Sequence, residues 1–378
     1  MNIKAMIATA ALFPGFAGLA MAQSNVKIMG ELDAGIQYYK ATNGTTVKRL
    51  QNGAFAASRL IFAGTEDLGG GLAANFNLEM APQVDTGELS RFGAFNRNSS
   101  VSLSSQSLGE IRMGKFLTST ANLVCQVDQF WCGSGFGGSG IMYNGDVSTV
   151  GRWVSGTPGR GGNNNDGVSV FSGGTGTAGT ADSNRKNNST QYITPRIGGF
   201  QGKLMYALGE AGNFAKNGSG NQLSATVTYS DKNLFVGIGY ESVRPDPLWN
   251  AKGDLSTIGG TYRFENLTVG AIYQYETASG PAAKWTRASD WAVTAVYQVS
   301  VFEPYLKFGQ HRTNGIGAYG IKDGIDSQVV NVGTLYRLSK RTALYADIAT
   351  DMKGSEGKPL IFKAVDPRVM TVGMHHWF

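Results

Sequence analysis

What this 378-residue chain lacks narrows its chemistry first. Two cysteines and three histidines leave little from which to build a thiol, imidazole or metal site. Two of the histidines, His375 and His376, are consecutive, so on a strand they point to opposite faces and cannot chelate one ion together. Only His311 remains, and no Ser/His/Asp or Cys/His constellation assembles around it. Beyond Ala22 there is no run of 18 apolar residues, which removes any membrane-spanning helix. The 33 basic residues exceed the 27 acidic ones by six, yet no Lys/Arg block is longer than three, so no basic tail for nucleic acid exists. Ten prolines and the absence of a Gly-X-Y period exclude a collagen-like chain. Neither a cofactor nor a metal is implied.

Glycine, by contrast, is abundant: 53 residues, about twice the usual usage of roughly 7%. That level disfavours helices and suits tight turns and close strand approach. The mean hydropathy of −0.15 is unremarkable. It does not exclude a membrane, because a barrel in lipid alternates apolar-out with polar-in and averages to about the same value.

The first residues carry a positive Lys4, an apolar core over 5–19 and the small-x-small site Ala20-Met21-Ala22 before Gln23. This pattern predicts a secretory signal peptide over residues 1–22, removed on export, and a single domain over 23–378. A retained helical anchor is the weaker alternative, since Pro14 and Gly15 interrupt the apolar core. Export also argues against a nucleic-acid partner.

Along the mature chain the dominant period is two. Val26, Ile28, Gly30, Leu32, Ala34, Ile36 and Tyr38 alternate with Lys27, Glu31, Asp33 and Gln37. Residues 223–229, 234–240, 267–275, 291–299, 302–308 and 330–338 repeat the alternation, and no long segment has helical spacing. The chain ends on VMTVGMHHWF, a strand with an aromatic tip suited to a membrane–water interface. The connectors alternate between short (67–71, 106–109, 196–199, 231–233, 265–266, 300–301, 339–341) and long (39–55, 81–95, 118–184, 210–220, 244–253, 278–289, 313–324, 352–365). Alternating tight turns and long loops predict an all-β fold, a transmembrane antiparallel up-and-down β-barrel of about 16 strands. A barrel of that size encloses an aqueous channel. The terminal strand then pairs back onto the first, with Met370, Val372, Met374 and His376 outward and Phe378 in the interfacial girdle.

One connector is exceptional. Residues 118–184 far exceed the roughly 12–15 at which an unstructured loop becomes unusual. They hold both cysteines, Cys125 and Cys132, and a Gly/Ser/Asn-rich tract over 133–181. In an oxidising compartment the pair most simply forms a local disulfide; zinc is the weaker reading, because no second Cys or His pair lies nearby. Such a loop is the candidate for a channel constriction, the glycine-rich half alternatively lying outside.

Residues 58–71 (SRLIFAGTEDLGGG) resemble the signature SRxGFxGxEDLGGGL of the betaproteobacterial trimeric general porins. FNRNSSVSL at 95–103 with GEIRMGK at 109–115 is similar to that family's FNRxxxVGL…G…xLGR stretch, RKNNSTQY at 185–192 to its RxxNSxxY strand, and GMHHWF at 373–378 to its GxxHxF close. The resemblance spans the mature chain. Lys115 stands where the family has Arg, the cysteine pair is not typical, and the glycine-rich tract resembles an insertion. The resemblance implies an outer-membrane homotrimer of 16-stranded barrels, each with its third external loop folded into the lumen. It also implies contact with outer-membrane lipids and lipopolysaccharide, small hydrophilic solutes as cargo, and Phe378 as a recognition tag for the barrel assembly machinery.

Basic residues on lumen-facing positions lower the barrier for anions. Arg59 alternates with outward Leu60 and Phe62, and Arg112 with Ile111 and Met113. Arg97, Lys115 and Arg185 sit beside the matched motifs, although Arg97 and Lys115 share the parity of apolar neighbours and need a bulge or a rim position to reach the lumen. Lys203, Lys307 and Arg337 have inward parity. Asp128 and Asp146 in the long loop are candidates for an opposing acidic side and a transverse field. The alternative for each cation is a rim contact with lipid phosphate or a wall pair with a carboxylate such as Glu31 or Glu66, so the cluster carries the expectation of a modest anion preference. Rival roles are a substrate-specific channel with a lumenal binding site, or a surface adhesin or receptor barrel. The apparent phosphate loop over 109–115 lacks its Ser/Thr, Phe116 standing there, and alternates as a strand.

Overall fold

The computed structural model describes residues 25–40, 46–89, 94–128, 185–209, 221–243, 252–279, 287–314, 326–352 and 368–378. Among them are seventeen strands: β1 (Asn25–Lys40), β2 (Thr46–Asn52), β3 (Arg59–Gly69), β4 (Leu72–Met80), β5 (Asn98–Ser105), β6 (Gly109–Leu117), β7 (Arg185–Ile193), β8 (Phe200–Ala207) and β9 (Gln222–Ser230). The others are β10 (Leu234–Val243), β11 (Lys252–Phe264), β12 (Leu267–Ser279), β13 (Arg287–Tyr297), β14 (Phe302–Asn314), β15 (Asp326–Arg337), β16 (Thr342–Asp351) and β17 (Arg368–Trp377). One helix, α1 (Ser119–Val127), follows β6. It is too short to cross a membrane; the strands do the crossing.

Every pairing is antiparallel, and the sheet closes where β1 pairs with β17 through Leu32↔His376 and Ile36↔Val372. The barrel has sixteen strand positions because β2 and β3 share one. β1 pairs with β2 over Ala34–Lys40 and with β3 over Asn25–Glu31. Between them, residues 53–58 leave the wall and turn inward. Ala54, Phe55 and Ala56 are buried, and Phe55 packs on Tyr345 (5.1 Å), His375 (6.1 Å) and Tyr305 (6.3 Å), all inward-facing. Sequence alternation places β2 and this inward knot in a loop over 39–55; the structure corrects that reading.

Period two sorts the side chains. Val26, Ile28, Ile36, Val101, Ile111, Ile238, Ile258, Val372 and Met374 are exposed on the outer face, while Glu31, Asp33, Gln37, Gln191, Thr226, Gln274, Asn331 and Thr371 are buried inside. The outer surface is therefore apolar and the lumen polar, as lipid outside and water inside demand. The strands outlast the alternation: β13 starts at Arg287 and β14 reaches Asn314, inside stretches that alternation assigns to loops. Backbone pairing continues past the hydrocarbon, where an outward side chain need no longer be apolar.

The short connectors gather at one rim. Gly69, Gly70 and Gly71 have φ of +82°, +61° and +78°, a left-handed run open only to glycine, and Asp67 Oδ1 accepts from the Gly69 N–H at 2.8 Å. The EDLGGG motif is thus the chemistry of a turn. At the β9–β10 turn, the N–H groups of Asn233 and Leu234 both donate to Asp231 Oδ1 at 2.8 Å and hold that carboxyl below its ordinary range.

Candidate functional site

The lumen is narrowed by α1. Thr118 caps the helix, its Oγ1 accepting from the Ala121 N–H at 3.2 Å, and satisfies one of the free N–H groups at a helix start. Leu123, Val124 and Val127 form the apolar face and pack on Ile272 and Ala292 of the β12–β13 wall. Glycines make room for it: a Cβ on Gly237 would lie 2.5 Å from Leu123 Cδ1, and one on Gly270 3.1 Å from the Val127 carbonyl oxygen.

Polar bonds fix both ends. At the N-terminal end Thr120 Oγ1 and Gln222 Nε2 donate to the buried Glu241 carboxylate. The Thr120 N–H donates to Ser224 Oγ at 3.2 Å, and Gln191 Nε2 to Ser119 Oγ at 3.1 Å. At the C-terminal end Lys307 Nζ donates to Asp128 Oδ2 at 2.8 Å, and both side chains are almost fully buried. The position of Asp128 in the long loop makes it a candidate acid facing the passage. The structure turns it into the wall instead, because the inward Lys307 would otherwise be a buried charge without a counterion. What α1 presents to the lumen is amide: Asn122 and the exposed Gln126, whose Nε2 donates to Asn122 Oδ1 at 3.1 Å.

The wall from β3 round to β7 is cationic. Arg59 on β3 forms an ion pair with Glu31 of β1 and stands 3.8 Å from Glu79 of β4. Arg97, just before β5, reaches Glu79 Oε1 with its Nε at 2.6 Å. Arg185 at the start of β7 lies within electrostatic reach of both Arg59 and Glu79. Arg97 solves its parity by preceding the strand. Lys115 does not: opposite Ser99 it keeps the outward register of Ile111 and Met113. The register shift at that point falls on β7, where Asn188 has φ +52°. Arg112 faces inward and bonds Glu110 Oε1 through Nε (3.1 Å) and Nη2 (3.0 Å). Lys203 is inward too, its Nζ donating to Asn122 Oδ1 at 2.5 Å, and Arg337 pairs with Glu303 at the turn-side rim. Asp146, Cys132 and the glycine-rich tract lie outside the described residues; Cys125 is half-buried on α1.

Three features escape the sequence reading, the third only in its partners. Arg49 of β2, opposite Gln37, is an inward cation that donates to Gln37 Oε1 at 2.9 Å; its strand reads as loop. The nine-residue α1 is too short for a helical period, and only Thr118 before an apolar triplet hints at it. His375 sits inside the wall, its Nδ1 3.2 Å from Asp33 Oδ2 and its Nε2 3.0 Å from Glu31 Oε2, the latter out of line for a hydrogen bond.

A closed polar-lined barrel with an inward helix and a cationic wall defines a channel through which hydrophilic solutes diffuse. A profile of the Gram-negative porin family matches residues 8–355, and the chain belongs to that family. It is 31% identical over 357 residues to outer membrane porin protein 32 of Delftia acidovorans, covering 92% of this chain and 88% of that protein. It is 25% identical to an outer membrane porin protein of Bordetella pertussis over the full length of both. Among solved structures, the anion-selective porin from Comamonas acidovorans shares the fold with a TM-score of 0.73 at 24% identity, over 94% of this chain and all of that one. The trimer form of OmpT from Vibrio cholerae shares it with a TM-score of 0.61 at 14% identity, over 94% of this chain and 99% of that one. The protein is an outer-membrane porin, a water-filled β-barrel channel for passive diffusion.

Proposed function

We propose that this porin passes small anions in preference to cations, and that Arg59, Arg97 and Arg185 carry the preference. The observation behind it is an asymmetry across the constriction. Three guanidinium groups share two carboxylates, Glu31 and Glu79, on the β1–β7 wall, while α1 offers amides to the lumen and its Asp128 is buried against Lys307. An excess of positive charge at a narrow, partly desolvated section lowers the barrier for anions and raises it for cations. The anion-selective porin from Comamonas acidovorans, with the same fold, supports the reading.

The test is the reversal potential of the reconstituted channel in a potassium chloride gradient. Anion selectivity is expected, and R59Q/R97Q is expected to shift the potential towards zero. Cation selectivity of the unaltered channel overturns the proposal. We further infer a homotrimer, in line with the trimer form of OmpT, working as a channel and not as an enzyme. On the same reading residues 1–22 are a cleaved signal peptide, Cys125 and Cys132 are bonded, lipids and lipopolysaccharide coat the barrel, and the assembly machinery reads Phe378.

A further inference from the structure

A second group of cations lies nearer the turn rim than the constriction. Arg112 stands three residues above the start of β6, and Lys203 three above the start of β8. Arg196 lies in the turn before β8, its Nη1 donating to Ser230 Oγ at 2.5 Å and to the Gly199 carbonyl at 3.0 Å. The register puts Arg112 opposite Gln191 and Gln191 opposite Met205, two residues from Lys203. Lys203 reaches α1 at Asn122, and both Arg112 and Arg196 lie within electrostatic reach of it. Glu110 is the carboxylate among them; Asp231, beyond Ser230, is held in its own turn. Among the described residues three cations face one carboxylate, an excess of two positive charges.

The donors are not exhausted. Glu110 takes Nε and Nη2 of Arg112, so Nη1 has no hydrogen-bond partner among the described residues. Lys203 donates one of its three N–H groups, to Asn122. Arg59, Arg97 and Glu79 sit about seven to ten residues above the turns, so the two groups are separated by roughly 10–18 Å along the pore axis. That exceeds a Debye length of ~8 Å at physiological salt, so each group acts as a site of its own.

We infer that Arg112, Lys203 and Arg196 form a second site, in the turn-side vestibule, for small oxyanions carrying two negative charges. The inference rests on the anion-channel reading and adds to it a station at which such an ion dwells after the constriction. A planar guanidinium edge beside an ammonium suits two oxygens of one tetrahedral or carboxylate ion.

The experiment is block of chloride current by inorganic phosphate added on the turn side of the reconstituted channel. Lys203→Gln, which keeps an amide donor for Asn122, and Arg112→Gln are each expected to raise the half-blocking concentration about thirtyfold, the effect on a doubly charged ion of removing one unit charge at contact distance in a well-solvated site. Lys203→Arg is expected to restore block, and Lys232→Gln, on a turn outside the group, to leave it unchanged. If the unaltered channel is anion-selective but phosphate block is the same in both Gln variants, the vestibule site is wrong and the constriction reading stands. Cation selectivity of the unaltered channel ends both. An equal loss of block in Lys232→Gln, or a changed conductance of Lys203→Gln at screening salt, overturns the site in favour of general surface charge or of a role in holding α1.

Discussion

His375 shows how little a single residue's parity says about its work. Its inward position follows from the alternation of β17, but its partners come from β1, more than three hundred residues earlier: Asp33 at 3.2 Å and Glu31 at 3.0 Å. Glu31 in turn pairs with Arg59, so the histidine connects barrel closure to the cationic wall. Phe55 closes the group from the lumen side. Its N–H donates to Asp33 Oδ1 at 3.0 Å, the same oxygen that accepts from Tyr345 Oη at 3.0 Å. Phe55→Ala removes the ring that packs on Tyr345, Tyr305 and His375, and is expected to cost about 3 kcal/mol. A lower temperature for loss of the heat-modifiable folded band on a gel would record it; an unchanged temperature would show that the knot is not a core.

At the scale of elements, α1 depends on its two ends. The Lys307–Asp128 pair is buried on both sides, so Lys307→Met removes the ammonium that faces the buried carboxylate, expected to cost about 3–5 kcal/mol. The local escape is for the end of α1 to leave the wall and hydrate Asp128 in the lumen. Lys307→Met is therefore expected to raise current noise and shift selectivity towards cations, because an acid enters the passage. Selectivity and noise identical to the parent channel would show that the pair does not hold the helix. Lys307 is legible as an inward residue from the alternation of β14; that it meets Asp128 is not, because 179 residues separate them.

For the whole molecule the deciding event is closure. Phe378 exchanges backbone hydrogen bonds with Gly30, at 3.0 Å from its N–H and 3.1 Å to its carbonyl, where the last strand meets the first. Its ring is exposed towards the interface, open to recognition before the barrel closes. Deleting Phe378 is expected to lower the yield of assembled barrels in the outer membrane several-fold while leaving the conductance of those that form unchanged. Equal yield would remove Phe378 from any role in assembly.

Barrel architecture was legible because a sheet with lipid on one face and water on the other writes its orientation into every second residue, and because tight turns such as Gly69–Gly70–Gly71 need a particular residue type. The inward Arg59 and Arg112 were readable for the same reason. For Lys115 two signals conflicted, motif proximity suggesting the lumen and parity the outside, and the register kept the parity. The inward knot at Phe55, the burial of Asp128 and the lumenal Arg49 were not readable. Each depends on which distant segment lies across the lumen, a matter settled only when sixteen strand positions close and buried charges must find counterions. The sequence by itself determined the barrel and the sign of its charge; the tertiary structure decided which of those charges pair with each other and which are left to meet a solute.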